Sequence, residues 1–222
     1  MALLKTISGI RGTIGGNPGH NLTPVDVVEC TAGLGIWLKR RNGTQKIVVG
    51  RDGRISGNIV SQLAVNTLLS LGIDVIDLGY STTPTVEMMV TKLKAGAGII
   101  FTASHNPKEW NALKFLNHNG EFISADDGQE IIDIIDEGAL SFVDVDHLGQ
   151  YSTYNDAIKN HITEILKYKH VNLNAIKEAG LHVVVDCINC PPIHNYALDQ
   201  FGAVVFDAND CAADTSFCLN IL

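Results

Sequence analysis

Lys46–Leu78, KIVVGRDGRISGNIVSQLAVNTLLSLGIDVIDL, reads as a strand, a helix and a second strand in succession. Its two ends, Lys46–Gly50 and Ile73–Leu78, are short apolar runs rich in β-branched residues and bounded by glycine or polar turns, as buried strands are. Between them, after Ser56, the residues Ile59, Val60, Leu63, Ala64, Thr67, Leu68 and Leu71 fall on one helical stripe. Gly98–Thr102 (GIIFT) repeats the strand signal further along. Upstream, Thr23 is an N-cap with Pro24 at the first helical position and Asp26 three residues on. Downstream, Pro84 opens a helix carrying Val86, Met89, Val90 and Leu93, and Ser124 caps another through Ile131, Ile132, Ile134 and Ile135. This alternation predicts an α/β class: layered α/β/α domains around a mixed, largely parallel sheet.

The pattern weakens at Ser141–Ser152, where Asp144, Asp146, Gly149 and Gln150 gather, so a linker is expected there. The expected domains are 1–148, complete, and 149–222, truncated. The second holds a helical stripe (Tyr154, Ile158, Ile162, Ile165, Leu166) and strands at Leu181–Cys187 and Ala203–Phe206. One strand–helix–strand unit is too small to close an α/β domain.

Composition narrows the function classes. With 222 residues, 45% hydrophobic and 18% charged, the chain is of ordinary globular type. A formal net charge of −8 argues against nucleic acid as a partner, while single Arg and Lys residues still suit a small phosphorylated substrate. No apolar run is long enough to span a bilayer, and no signal-type h-region follows Met1, so a cytoplasmic protein without membrane contact is expected. Five cysteines then read as free thiols. A zinc site from Cys187, Cys190, Cys211, Cys218 and His194 is the competing reading. Against it, Cys187 ends a buried strand pattern and the Cys211–Cys218 spacing is not that of paired knuckles.

The segment richest in chemistry is Gly98–Phe115, GIIFTASHNPKEWNALKF. A buried strand delivers Thr102-Ala103-Ser104-His105-Asn106-Pro107 to the sheet edge where ligands of α/β folds bind. Ser104 there suits a nucleophile or phosphate carrier, His105 and Asn106 supply donors, and Lys114 adds a charge or proton shuttle. A plain surface turn is the alternative, since Ser, Asn and Pro are ordinary turn residues. A Ser–His hydrolase fits poorly, because adjacent residues in an extended loop diverge and no G-x-S-x-G elbow is present. SGIRGTIGG matches neither nucleotide fingerprint, so Gly9, Gly12, Gly15 and Gly16 read as turn formers. Arg51, Asp52 and Arg54 read as an ion-pair cluster supporting loops rather than as substrate contacts.

TASHNP followed by WNALK resembles the phosphoserine loop of the α-D-phosphohexomutases, which include phosphoglucomutase, phosphomannomutase and phosphoglucosamine mutase. Ser8–Gly12 (SGIRG), Gly50–Gly57 (GRDGRISG) and Leu78–Pro84 (LGYSTTP) agree with that family in order and spacing. The resemblance implies an isomerase that interconverts hexose or hexosamine 1- and 6-phosphates through a phosphoserine and a bisphosphate. It implies Ser104 as phosphoryl carrier, Lys114 as general acid/base and Arg11 as a phosphate clamp, with His105 and Asn106 hydrogen-bonding near the serine or substrate. It also implies Mg2+ on the Ser104 phosphate. The family's other metal ligands lie in an Asp-rich loop of DGDGDR type that does not occur here. Departures are Ala112 in place of the family's usual glycine, Cys190-Pro191-Pro192 in place of a Gly-rich turn, and only a faint echo of D-G-x-F-P in Asp214–Asn220. The resemblance therefore predicts a fragment inactive alone, the alternative being a non-catalytic phosphoprotein or partner-binding half-enzyme.

Overall fold

In the computed structural model, which describes residues 3–6, 9–41, 43–138, 140–180, 182–185 and 204–207, the β-branched runs do pair as strands. Strands β1 (Leu3–Thr6), β2 (Gly9–Thr13), β3 (Lys46–Arg51), β4 (Asp74–Tyr80), β5 (Ala97–Phe101), β6 (Trp110–Leu116) and β7 (Tyr151–Thr153) form one sheet in the order β1-β2-β6-β5-β3-β4-β7. β5, β3, β4 and β7 are parallel neighbours, whereas β1, β2, β6 and β5 pair antiparallel. The sheet is thus mixed, with its parallel part where strand and helix alternate in the chain. In the antiparallel part β1–β2 and β5–β6 are consecutive strands with short connections, while β2 pairs with β6 from far along the chain.

Alternation along each strand sorts side chains to two faces. Ile47, Val49, Ile99, Phe101, Leu113 and Phe115 pack with α1 (Pro24–Arg40), α2 (Gly57–Ser70) and α4 (Ala125–Glu137) through residues such as Leu34, Trp37, Leu68 and Ile134. Val48, Ile100 and Leu116 pack with Val86, Met89 and Val90 of α3 (Thr83–Lys92) on the other face. Every residue of β5 is buried, as suits a strand covered by helices on both sides.

Local chemistry sets the helix starts. The Asp26 carboxylate accepts from the Thr23 N–H at 3.0 Å, from the Thr23 hydroxyl and from the Gly19 N–H at 2.8 Å. Thr82 and Ser124 accept from the amides of Thr85 and Asp127. Gly138, in the left-handed region at φ +64°, ends α4.

The segment expected as a linker is part of this first unit. Val143 N–H donates to Ser70 O and Gly149 N–H to Leu69 O, a short 3₁₀ turn forms at Val145–His147, and β7 extends the sheet beside β4. The compact units are accordingly Met1–Ala157 and Ile158–Leu222, with the division later than residue 148. In the second unit lie most of α5 (Ala157–Leu166), α6 (Leu173–Glu178) and a parallel pair, β8 (His182–Val185) with β9 (Val204–Asp207). β8 falls within the run Leu181–Cys187, and β9 overlaps the run Ala203–Phe206 and extends one residue past it. Cys187, Cys190, His194, Cys211 and Cys218 lie outside the described residues, as does Ser8.

Candidate active site

β5 ends at Phe101, and the chain enters Thr102–Pro107 at the carboxyl edge of the parallel strands. Three bonds form within this loop. Ser104 N–H donates to Thr102 Oγ1 at 3.1 Å, Asn106 N–H to Ala103 O at 3.1 Å, and Asn106 Nδ2 to the same carbonyl at 2.8 Å. Ser104 itself adopts φ +55°, a left-handed conformation that serines seldom occupy. Its side chain is exposed. Among the described residues Lys94, at φ +52°, is the other non-glycine in this region, so for Ser104 the strain counts together with its exposure and its partner.

The partner of Ser104 comes from β6. Lys114 Nζ donates to Ser104 Oγ at 2.8 Å. This contact follows from the antiparallel return of the chain, which pairs Ile100 with Lys114 and Phe101 with Leu113 beside the loop. Lys114 alternates with Leu116, so it stands on the α3 face of the sheet. Across from it β2 presents Gly9, and one step along β2 Arg11 lies opposite Ala112 on that same face. Arg11 is exposed and, among the described residues, its side chain makes no hydrogen bond or ion pair. Its diagonal position leaves its guanidinium within reach of a group bound at Lys114.

The remaining sequence candidates divide. His105 is exposed in the loop and forms no hydrogen bond among the described residues. Asn106 uses its amide nitrogen within the loop, leaving its Oδ1 for a ligand. Ala112 is buried at 3% exposure in the β2–β6 ladder, so the methyl group is accommodated there.

Two further groups enter the site. Glu87, on α3, has its carboxyl raised above the usual range by burial, with the Lys114 charge pulling the other way. Nothing in the sequence marked Glu87, because its proximity to Lys114 depends on how α3 packs on the sheet. Arg54 donates from Nη1 to the carbonyls of Pro107 and Trp110, and from Nη2 to those of Ser104 and Asn106. Its Nε lies 3.3 Å from Asp52 Oδ2. Arg51 instead stacks over the Tyr80 ring at 4.0 Å and donates to Asp52 O. The loop-supporting reading of Arg54 and Asp52 fits these contacts. The cleft of about 460 Å³ bounded by Arg51, Asn58, Gln62, Asp77 and Tyr151 is lined by neither Ser104 nor Lys114.

Among the described residues no group of three or more His, Cys, Asp or Glu side chains is placed to hold a metal, and Ser104 Oγ faces an ammonium. These residues alone do not fit a magnesium ion, which needs several oxygen ligands in octahedral array. No helix among them is long and apolar enough to cross a membrane.

Comparison with known proteins bears on the family and the fold. The family model for phosphoglucomutase/phosphomannomutase, alpha/beta/alpha domain I, matches residues 3–141. The phosphoglucosamine mutase of Helicobacter pylori is 33% identical over 211 residues, a match covering 90% of this chain and 46% of that protein. The phosphoglucosamine mutase of Aliarcobacter butzleri is 30% identical over 207 residues, covering 91% and 45%. Among solved structures, a phosphoglucomutase/phosphomannomutase family protein from Burkholderia thailandensis superposes with a TM-score of 0.70 at 23% identity, over 90% of this chain and 42% of that one. Parafusin, a phosphoglucomutase from Paramecium, superposes with a TM-score of 0.66 at 16% identity, over 90% and 42%. The structural likenesses speak to the fold. The chain spans less than half the length of the curated relatives it matches.

Proposed function

The chain belongs to the phosphoglucomutase/phosphomannomutase family, and on that premise we propose that it is the phosphoserine-bearing part of a phosphohexomutase. The reaction is the interconversion of hexose or hexosamine 1- and 6-phosphates. The observation that carries this reading is the 2.8 Å hydrogen bond from Lys114 Nζ to Ser104 Oγ.

In the proposed step a phosphoryl group on Ser104 passes to a free hydroxyl of the bound sugar phosphate. The bond from phosphorus to Ser104 Oγ breaks as the bond to the sugar oxygen forms. Lys114 gives its proton to the departing Oγ and regains one from the sugar hydroxyl, so charge and protons balance. Return of the other phosphate to Ser104 runs the same exchange backward. Arg11 suits a bidentate hold on phosphate oxygens, since its planar fork matches their geometry. His105 and Asn106 Oδ1 are polar groups of the loop left to orient the sugar. Positioning and charge neutralisation provide most of the rate in phosphoryl transfer, which is why Lys114 held at the serine, with Arg11 on the same sheet face, supports this chemistry.

Magnesium, where bound, would sit on the Ser104 phosphate with further ligands from outside the described residues and would neutralise charge on the transferring group. We place the activity in the cytoplasm, where a thiol such as Cys30 stays reduced. Because the chain spans less than half of its relatives, we propose that it does not turn over alone and that the remaining portion supplies the grip on the sugar. A non-catalytic phosphoprotein half is the second reading, favoured by that same coverage.

The test is incubation with a hexose 1,6-bisphosphate, followed by intact-mass measurement and peptide mapping. Phosphate on Ser104 is expected. Phosphate on another residue with Ser104 bare sinks the assignment. Adding a polypeptide corresponding to the carboxy-terminal part of the Helicobacter pylori relative separates the two readings. Turnover on mixing supports the mutase, and its absence with Ser104 phosphorylated supports the phosphoprotein.

A further inference from the structure

We infer that Arg54 is a positioning residue which holds the serine loop in the left-handed conformation that brings Ser104 to Lys114. This goes beyond the proposed function and rests on it only in treating Ser104 as the residue of interest.

The loop's own bonds do not account for its shape. They tie Ser104 to Thr102 and Asn106 to Ala103, and neither reaches the carbonyl of Ser104, whose φ of +55° is the unusual one. Arg54 supplies what is missing. From Nη2 it donates to Ser104 O and Asn106 O, each at 2.7 Å, and from Nη1 to Pro107 O and Trp110 O, each at 2.9 Å. One rigid plane thus fixes four carbonyls between Ser104 and Trp110, from a position fifty residues earlier in the chain.

Arg54 is itself well anchored. Its backbone N–H donates to Asp52 Oδ1 at 3.0 Å, its Nε faces Asp52 Oδ2 at 3.3 Å, and its side chain is only 12% exposed. Asp52 N–H donates to Phe101 O at the end of β5, and Gly57 N–H to Arg54 O at the start of α2. The clamp therefore refers the loop to the sheet and to α2 at once.

Two consequences follow from the donor count. A guanidinium has five N–H groups in fixed directions. Four enter the loop, and the fifth, on Nε, is buried 3.3 Å from Asp52 Oδ2 without making a hydrogen bond, so none is presented to a substrate. Ser104 is held at both ends, with its carbonyl on Arg54 and its Oγ on Lys114. Drawing the carbonyls to Arg54 also gathers their partial negative charges there, away from the hydroxyl that meets Lys114. A lysine in place of Arg54 has one charge centre and three protons, and cannot reach four carbonyls in a plane.

The experiment is backbone NMR with amide hydrogen exchange on the full chain carrying unphosphorylated Ser104, for wild type, Arg54→Ala and Arg54→Lys. In Arg54→Ala the Ser104 backbone shifts should leave left-handed values. Exchange at the Asn106 and Trp110 amides should speed by about tenfold or more, the factor one lost charge-assisted hydrogen bond carries. Shifts of β3 and β5 should hold. Added guanidinium at sub-denaturing concentration should restore the loop in Arg54→Ala, and Arg54→Lys should not reproduce the native loop. Native Ser104 shifts and exchange in either variant overturn the inference, as does loss of the loop with no recovery on adding guanidinium to a folded Arg54→Ala. If Arg54→Ala fails to fold, Arg54→Lys decides by the same Ser104 shifts. No turnover enters these readouts, so loss of the loop in Arg54→Ala with recovery on guanidinium, together with no phosphate ever found on Ser104, sinks only the mutase proposal.

Discussion

Gly9→Ala should destabilise the first unit substantially, because Gly9 holds the register that sets Arg11 beside Lys114. Gly9 sits at φ +136° directly opposite Lys114 in the β2–β6 ladder. A side chain in that region costs about 1–3 kcal/mol in backbone strain. A Cβ there would also overlap the Leu113 carbonyl oxygen and lie 2.9 Å from Lys114 Cα and 3.0 Å from Leu113 C. All three are backbone atoms, so relief requires β2 to move off β6 and give up at least one ladder bond, about 1 kcal/mol more. The total is about 3 kcal/mol. With a urea m-value of about 2 kcal/mol/M, the unfolding midpoint should fall by about 1.5 M. The two tryptophans, Trp37 and Trp110, both lie in the first unit, and Trp110 pairs with Thr13 in this same ladder. Urea titration by tryptophan fluorescence therefore reads the right cooperative unit. A midpoint within about 0.3 M of wild type would refute the reasoning, since neither the positive φ nor the close approach would then be required.

Other perturbations test other links. Burial acts to raise the Asp26 carboxyl, but bonds from Thr23 and Gly19 outweigh it and hold the group below its ordinary value. The folded value being the lower one, Asp26 contributes stability above the unfolded pKa of about 3.9 and loses it as pH falls through the folded value. Asp26→Asn should cost about 2 kcal/mol at pH 7 and flatten the acid limb of a stability–pH curve below pH 4 or so, measured by urea titration across pH. Burial pushes the Cys30 thiol up to about 12, so alkylating reagent at pH 8 should leave Cys30 unmodified until the first unit is unfolded, as read by peptide mapping. In a chain completed to the length of its relatives, Lys114→Ala should lower kcat more than it raises KM, while Arg11→Ala should weaken phosphate transfer from the bisphosphate. Wild-type turnover in both variants would remove these roles.

The sequence by itself determined the parallel core, most helix starts and the serine loop. Each is written in local chemistry. Runs such as Lys46–Gly50 have too many β-branched neighbours for a surface helix, Thr23 and Ser124 offer cap oxygens, and Ser104 follows a fully apolar strand. It was silent on the antiparallel part. Trp110–Leu116 mixes Asn111 and Lys114 with apolar residues on both faces, so neither the strand nor its partners show as a period. β7 is only Tyr-Ser-Thr, exposed throughout, and was legible as linker alone. The site was legible as a set of residue types and not as an arrangement. That Lys114 meets Ser104, that Arg11 stands diagonally across from it, that Glu87 shares its field and that Arg54 grips four loop carbonyls were decided by tertiary structure. The physical reason is that local propensity reports how one segment sits on its own axis. A hydrogen bond between residues fifty positions apart, like that of Arg54 to Ser104, exists only once the sheet has fixed the distance between their strands.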